Sequence, residues 1–327
     1  MKAAQLFAPS KFRFIDAEEP KLIDGESKIK ILSTSVCGSD IHSQFRGDFK
    51  EEEYPRPPGM PCHEIVGKII ESKNSSLKEG QRVIVIPGRN NYGGLTEYIK
   101  QVPELIIPIP DWGSAEEWVM CQHTGTVLFS AKKWGNPAGK TIAILGQGGI
   151  GLSFTMIAEK QGAENIVGID LLDYRLKKAL ELGATHTINP SNENLYENIN
   201  EITKGAGVDI VVDATGDPSA FETSIKLIKR YGLIISFSLT GSESKRSSFV
   251  HTDFMRKAAK IIPTQMSRTS EPTKEIREIV KLKERGWIDP GKLKSHNFDF
   301  IDVQKAYDTY ADYKNNVIKL AINISND

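Results

Sequence analysis

Apolar positions follow two rhythms along this chain. Up to about residue 110 they come in short runs, at 28–35, 65–71, 81–87 and 95–99. Turn signals such as Lys78, Glu79, Gly80 and Tyr92, Gly93, Gly94 separate them. That punctuation predicts the short strands of a small β-barrel or sandwich. A helical pattern fills 114–133. From 141 the rhythm becomes an alternation. Apolar runs at 142–145, 165–169, 208–212 and 233–239, with a shorter one at 187–189, predict strands. Helical patterns at 152–161, 174–182, 195–203 and 220–228 lie between them. Strands alternating with helices predict an α/β domain with a doubly wound parallel sheet. Past about 263 come a charged amphipathic helix, 271–284, and a last strand, 317–322. This tail reads as a return to the first domain. The predicted division is 1–122 with 264–327, around an inserted 123–263.

The first strand of the alternating part runs straight into GQGGIG at 146–151. Gly146 permits a tight turn, Gly148 lets the backbone approach a pyrophosphate, and Gly151 lets the following helix sit close on the sheet. The free N–H groups of Gly149, Ile150 and their neighbours, at the positive end of that helix, suit phosphate oxygens. Asp170 ends the next strand, 24 residues after Gly146, where a carboxylate accepts from both ribose hydroxyls. Strand, glycine turn, helix and acid together predict a dinucleotide site. Asp170 favours NAD over NADP, because it repels a 2′-phosphate, and Arg175 nearby softens that preference. Ligands of such sheets bind beyond the carboxyl ends of the strands. That puts Thr215, Gly216 and the backbone of 237–239, with Ser238, on the same rim.

Charge adds exclusions. The 327 residues hold 42 basic and 42 acidic side chains, with no footprint for nucleic acid or an acidic membrane. No apolar run reaches the about 20 residues of a membrane span. The start lacks the apolar core of a secretion signal. Three cysteines, Cys37, Cys62 and Cys121, are too few and odd in number for a disulfide framework. A reducing, cytoplasmic setting is the expectation.

The first domain places CGSDIH at 37–42 and, about 25 residues later, Cys62, His63 and Glu64. Zinc takes thiolate, imidazole and carboxylate in a tetrahedron, and a catalytic zinc keeps one position open. Cys37, His63 and Glu64 supply one of each. Asp40 is placed to accept the other ring N–H of His63. The plain alternative is two small buried thiols and a surface His–Glu pair.

CGSDIH at 37–42, HE at 63–64, GGLTEY at 93–98, GQGGIG at 146–151 and IDLLDYRLKKALELGA at 169–184 together resemble the zinc-containing medium-chain dehydrogenase/reductase superfamily. The resemblance runs essentially end to end. It implies a GroES-like β-barrel catalytic domain interrupted by a Rossmann domain. It also implies NAD(P)-dependent alcohol or polyol oxidation at a zinc in the interdomain cleft, in a homodimer or homotetramer. Cys37 and His63 match the family's zinc ligands. Glu64 matches a carboxylate that binds zinc in some members and exchanges with water in others. Ser39 matches the hydroxyl that meets the substrate oxygen, and His42 the histidine that passes the proton outward.

Three departures stand out. Cys62 replaces the usual glycine before the metal histidine, as a spectator, an extra ligand or a sign of altered geometry. The remaining ligand position falls on Cys121 or Gln122, by two ways of counting, with His123 one residue too far by either. The cysteine lobe of a structural zinc is absent, since 85–94 is short and has no cysteine, so one catalytic zinc is expected. The substrate expectation is a small alcohol or carbonyl compound, tilted towards a secondary, polyol-like or amino alcohol. The loop 43–61, with Arg46, Asp48, Lys50 and Arg56, would roof the pocket, and Trp118 and 265–268, including Arg268, would line it. The run 233–239 is a plausible edge strand and dimer seam. Two other readings stay open. One is an NAD(P)H-dependent ene-reductase. The other is a non-catalytic NAD-binding protein with Cys62 as a redox switch.

Overall fold

The computed structural model describes residues 1–47, 49–88, 92–238 and 246–325, without the side chain of Arg268. The chain divides into two compact units, Met1–Gly125 with Glu271–Asp327, and Thr126–Ser270. In chain order the first unit supplies β1 (Lys2–Ala8), β2 (Lys11–Asp16), β3 (Ser27–Ser35), β4 (Glu64–Ser72), β5 (Arg82–Val85), β6 (Tyr98–Gln101) and β7 (Ile106–Pro108). The second supplies β8 (Thr141–Leu145), β9 (Asn165–Ile169), β10 (His186–Ile188), β11 (Val208–Asp213), β12 (Ile228–Ser236) and β13 (Lys260–Pro263). The chain then returns to the first unit with β14 (Lys294–Asp299) and β15 (Lys319–Asn323). Among the described residues no helix is long and apolar enough to cross a membrane.

In the first unit the sheet runs β14-β15-β3-β4-β5-β7, with β6 also paired to β3 and β1-β2 as a separate hairpin. Antiparallel pairing of β3, β4, β5 and β7 follows from the short turn-linked runs. Its core joins Leu6, Ile29, Ile31, Ile65, Ile69, Val83, Leu95 and Ile99 to Tyr307 and Ile322 from the returning tail. The tail is thus part of this barrel's core. The GroES-like domain interrupted by a parallel-sheet domain is the fold that the sequence implied.

In the second unit all six strands are parallel, in the order β10-β9-β8-β11-β12-β13. This is the order of a dinucleotide-binding sheet, with the reversal of winding between β8 and β11. β8 and β11 are fully buried apart from Thr141 and Asp209, as central strands require. The structure corrects one expectation here. The expected edge strand from 233 is not an edge: β12 lies between β11 and β13, and β10 and β13 form the edges. The pattern concealed this because β13 has only four residues and follows the short helix His251–Lys257, neither of which stood out in the sequence. Leu239 and Asp48 lie outside the described residues.

Candidate metal centre and dinucleotide loop

β3 delivers Cys37 to one end of the first unit. The chain there turns through Gly38–Asp40, and Asp40 folds back on the turn that carries it. Its Oδ2 accepts from the Cys37 backbone N–H at 3.0 Å. Its Oδ1 meets His63 Nδ1 at 2.6 Å. One carboxylate therefore orients two residues that are 26 positions apart in sequence. It is 2% exposed, and burial pushes its carboxyl up against the pull of His63. With Nδ1 engaged, His63 presents Nε2.

His63 and Glu64 stand at the start of β4, and glycines fix the turn before them. A Cβ on Gly93 would lie 2.1 Å from the Gly59 carbonyl oxygen and one on Gly59 2.4 Å from that of Gly93, so neither segment tolerates a side chain there. Gly93 N–H donates to Pro58, Gly94 N–H to Cys62 and Leu95 N–H to Gly59. The GGL segment thereby braces the turn that aims His63. On the far side of the backbone, Gln122 donates to the His63 carbonyl at 2.6 Å and accepts from Ile65 N–H at 3.1 Å. Both ends of its amide are engaged with the main chain on either side of Glu64.

The ligand atoms of Cys37, His63 and Glu64 all lie within 4.8 Å of one another. A tetrahedral zinc separates such atoms by about 3.5 Å, so small side-chain shifts would close the set. The donors fit that metal: a thiol, an imidazole nitrogen and a carboxylate. One Glu64 oxygen, Oε1, is buried with no hydrogen-bond partner. Oε2 pairs with Lys319 Nζ at 2.6 Å, and Lys319 also donates to the Val36 carbonyl at 2.8 Å. Burial alone would raise the Glu64 carboxyl. Lys319, followed by His123 and His63, holds it down at about 2. The Lys319 ammonium is raised in turn, because Glu64 outweighs its burial. Lys319 is a site residue that sequence reading missed.

The other expected residues fall into two groups. The Ser39 hydroxyl donates to Cys37 Sγ at 3.3 Å, beside the cluster. His42 is exposed on the next turn, Ile41–Phe45. Cys121 does not join the cluster. Its thiol is fully buried, burial pushes it up, and the charges that reach it are those of Lys283 and Asp289. Gln122 does not join either, its amide being engaged as described. Cys62 is fully buried, its sulfur 3.6 Å from the Ser35 carbonyl and 3.8 Å from that of Glu64. Burial pushes its thiol up to about 12. Arg46 pairs with Asp312, Arg56 lies over Phe49, and Trp118 donates to the Trp112 carbonyl at 2.6 Å.

In the second unit each glycine of the loop has a separate geometric reason. Gly146 has φ +85°. A Cβ on Gly151 would lie 1.7 Å from the Gly146 carbonyl oxygen. A Cβ on Gly148 would approach only Arg175, at 3.9 Å, so its face is open to a ligand. Gly148 caps the helix Gly149–Lys160, whose first N–H groups, from Gly149, Ile150 and Gly151, are free to meet an anion. Asp170 Oδ2 accepts from Gln147 N–H at 2.7 Å and Oδ1 from Leu172 N–H at 3.0 Å. Arg175 lies 3.5 Å from Asp170. At the end of β11, Asp213 accepts from the Thr215 N–H and hydroxyl, and Ser238 donates to the Asp213 carbonyl at 3.2 Å. Gln147 was not singled out by its sequence. Its buried side chain donates to Ile144 and accepts from Thr155, filling the space that Gly168 leaves.

Comparison with known proteins follows this geometry. The profile of the alcohol dehydrogenase GroES-like domain matches residues 23–129, and that of the zinc-binding dehydrogenase matches 149–284. An alcohol dehydrogenase from Cupriavidus necator is 28% identical over 98% of both chains. A D-arabitol-phosphate dehydrogenase from Enterococcus avium is 32% identical, over 73% of this chain and 76% of its own. The crystal structure of an Escherichia coli oxidoreductase/dehydrogenase of unknown specificity matches with a TM-score of 0.87 at 25% identity, covering 99% of each chain. Sequence profiles, relatives and fold converge: the chain belongs to the zinc-containing medium-chain dehydrogenase/reductase superfamily.

Proposed function

We propose that this protein is a zinc-dependent dehydrogenase that moves a hydride between NAD and a small secondary, polyol-like or amino alcohol. The observation that carries the reading is the set of Cys37, His63 and Glu64 donors within 4.8 Å, with one buried Glu64 oxygen unpaired. When bound, zinc would supply a Lewis acid for the substrate oxygen and the nicotinamide ring a hydride acceptor. Cys37 and His63 would hold the metal, with Glu64 as the third protein ligand. Asp40 fixes the His63 ring, keeping Nε2 as its ligand atom. Ser39, beside Cys37, takes the proton of the substrate hydroxyl, and the exposed His42 passes it outward.

The glycine loop and the start of Gly149–Lys160 bind the pyrophosphate. Asp170 accepts from the ribose, and its charge favours NAD over NADP. Arg175 moderates that preference from 3.5 Å away. Thr215 and Ser238 complete the rim. The polyol tilt is supported by Glu64 and by the D-arabitol-phosphate dehydrogenase relative. A homodimer or homotetramer is part of the proposal. The redox-switch alternative loses ground because Cys62 is buried and a poor thiolate former.

Replacing Cys37 by Ser tests the reading. Zinc content and turnover of a panel of polyols, amino alcohols and hydroxy acids should collapse, while NAD still quenches protein fluorescence. A Cys37→Ser protein that turns over normally would end the proposal.

A further inference from the structure

The face of the first unit's sheet behind the metal cluster is polar where a buried sheet face is usually apolar. The ladder contains a bulge between Ile31 and Ser33, where two residues of β3 oppose one step of β4. Before the bulge, Ile29 and Ile31 point into the barrel core. After it, Thr34 pairs with Ile65 and Ile322, which belong to that core. Ser33 and Ser35 are consequently turned to the opposite side, because side chains alternate along a strand. Directly opposed residues project on the same side. Ser35 stands between Glu64 on β4 and Ala321 on β15, and Ser33 between Val66 and Asn323. The helix Ala115–Trp118, with Trp118 fully buried, packs on β3, β4 and β15.

Four oxygens of this strip are buried without a hydrogen-bond partner: Glu64 Oε1, Ser35 Oγ, Ser33 Oγ and Asn323 Oδ1. Ser33, Ser35 and Glu64 are each at most 1% exposed. Buried polar atoms in native proteins are paired, with protein or with ordered water. Four orphans in consecutive rows of one face are not an accident of a single rotamer. The spacing suits water. Opposed residues have Cβ atoms about 5 Å apart, and Ser33 and Ser35 are about 7 Å apart along β3. Hydrogen bonds of about 2.8 Å bridge such gaps with one or two waters. A carboxylate oxygen has two acceptor directions, so Oε1 can meet a metal on one side and water on the other.

We propose that this strip is a built hydration site, in which at least two ordered waters join Glu64 Oε1 to Ser35, Ser33 and Asn323. Ser35 and Ser33 are then positioning residues for the Glu64 carboxylate, held from behind by water and from the side by Lys319. Their effect on zinc rests on the metal reading above, whereas the waters themselves do not.

A high-resolution crystal structure of the full chain should show waters within hydrogen-bond distance of these four oxygens. Ser35→Val, which fills the strip with methyls, should release zinc to a chelator about tenfold faster, the low end for an outer partner of a metal ligand. Ser35→Thr, which keeps the hydroxyl, should stay close to the parent. A dry strip, hydroxyls paired to backbone carbonyls instead, or a Ser35→Val protein that holds zinc as the parent does would overturn the proposal. Waters in a protein that binds no zinc would uphold the hydration site and sink the metal reading. A dry strip in a zinc-loaded protein would do the reverse.

Discussion

Replacing Lys319 by Met keeps the side chain's length and removes its charge. Lys319 and Glu64 side chains are 3% and 2% exposed and 2.6 Å apart. At that distance an effective dielectric of about 20 gives an attraction of about 6 kcal/mol, before the cost of desolvating both ions. The Glu64 carboxyl offers a second measure. Held at about 2 rather than the ordinary 4.5, it favours its ionised form by about 3 kcal/mol. Stranding one ion of a buried pair typically costs about 3–5 kcal/mol. Lys319→Met should therefore destabilise the metal-free protein by about 3 kcal/mol in urea unfolding. Glu64→Gln together with Lys319→Met should cost at least about 2 kcal/mol less than the sum of the single changes. The pH dependence has a definite sign. A carboxyl depressed on folding contributes fully above about 4.5 and loses that contribution as pH falls towards about 2. The parent should lose this stability in that interval, and Lys319→Met should not. Strictly additive single and double variants, or a loss under about 1 kcal/mol, would refute the reasoning.

Gly151→Ala forces a methyl to within 1.7 Å of the Gly146 carbonyl, so the loop must open. NAD affinity by titration should fall at least about tenfold, since a loss of about 1.4 kcal/mol already gives that factor. Cys121→Ala should leave zinc content by atomic absorption unchanged, because the buried thiol is not among the clustered donors Cys37, His63 and Glu64. Gln122→Ala deletes two bonds to the backbone around Glu64 and should cost about 1–3 kcal/mol in thermal or urea unfolding. It should also lower zinc retention in a chelator assay.

The glycine loop was legible because its causes are local. Each glycine answers to a turn, an approach or a neighbour within a few residues. Cys37 and His63 were legible as a donor set, and Asp40 as a partner placed for the His63 ring. The choice among Cys121, Gln122 and His123 was not. One helical step rotates a side chain by about 100°, enough to turn it from the core to the backbone of another strand. Lys319 was invisible for a different reason. It is 255 residues from Glu64, and a lysine within a predicted terminal strand reads as a side chain on its solvated face. The expected edge position of the run from 233 failed because an apolar run looks the same in a central strand and at an edge. Only the later, short β13 tells them apart.

The carboxylate of Asp40 limits how this centre could be redesigned. It holds the main chain of one proposed ligand and the ring of another, so the two cannot be retuned separately. An engineer exchanging the sulfur donor for an oxygen or nitrogen donor, to suit a harder cation, would also disturb the imidazole. Altered metal preference is therefore more accessible through the carboxylate on β4, which that bracket does not grip.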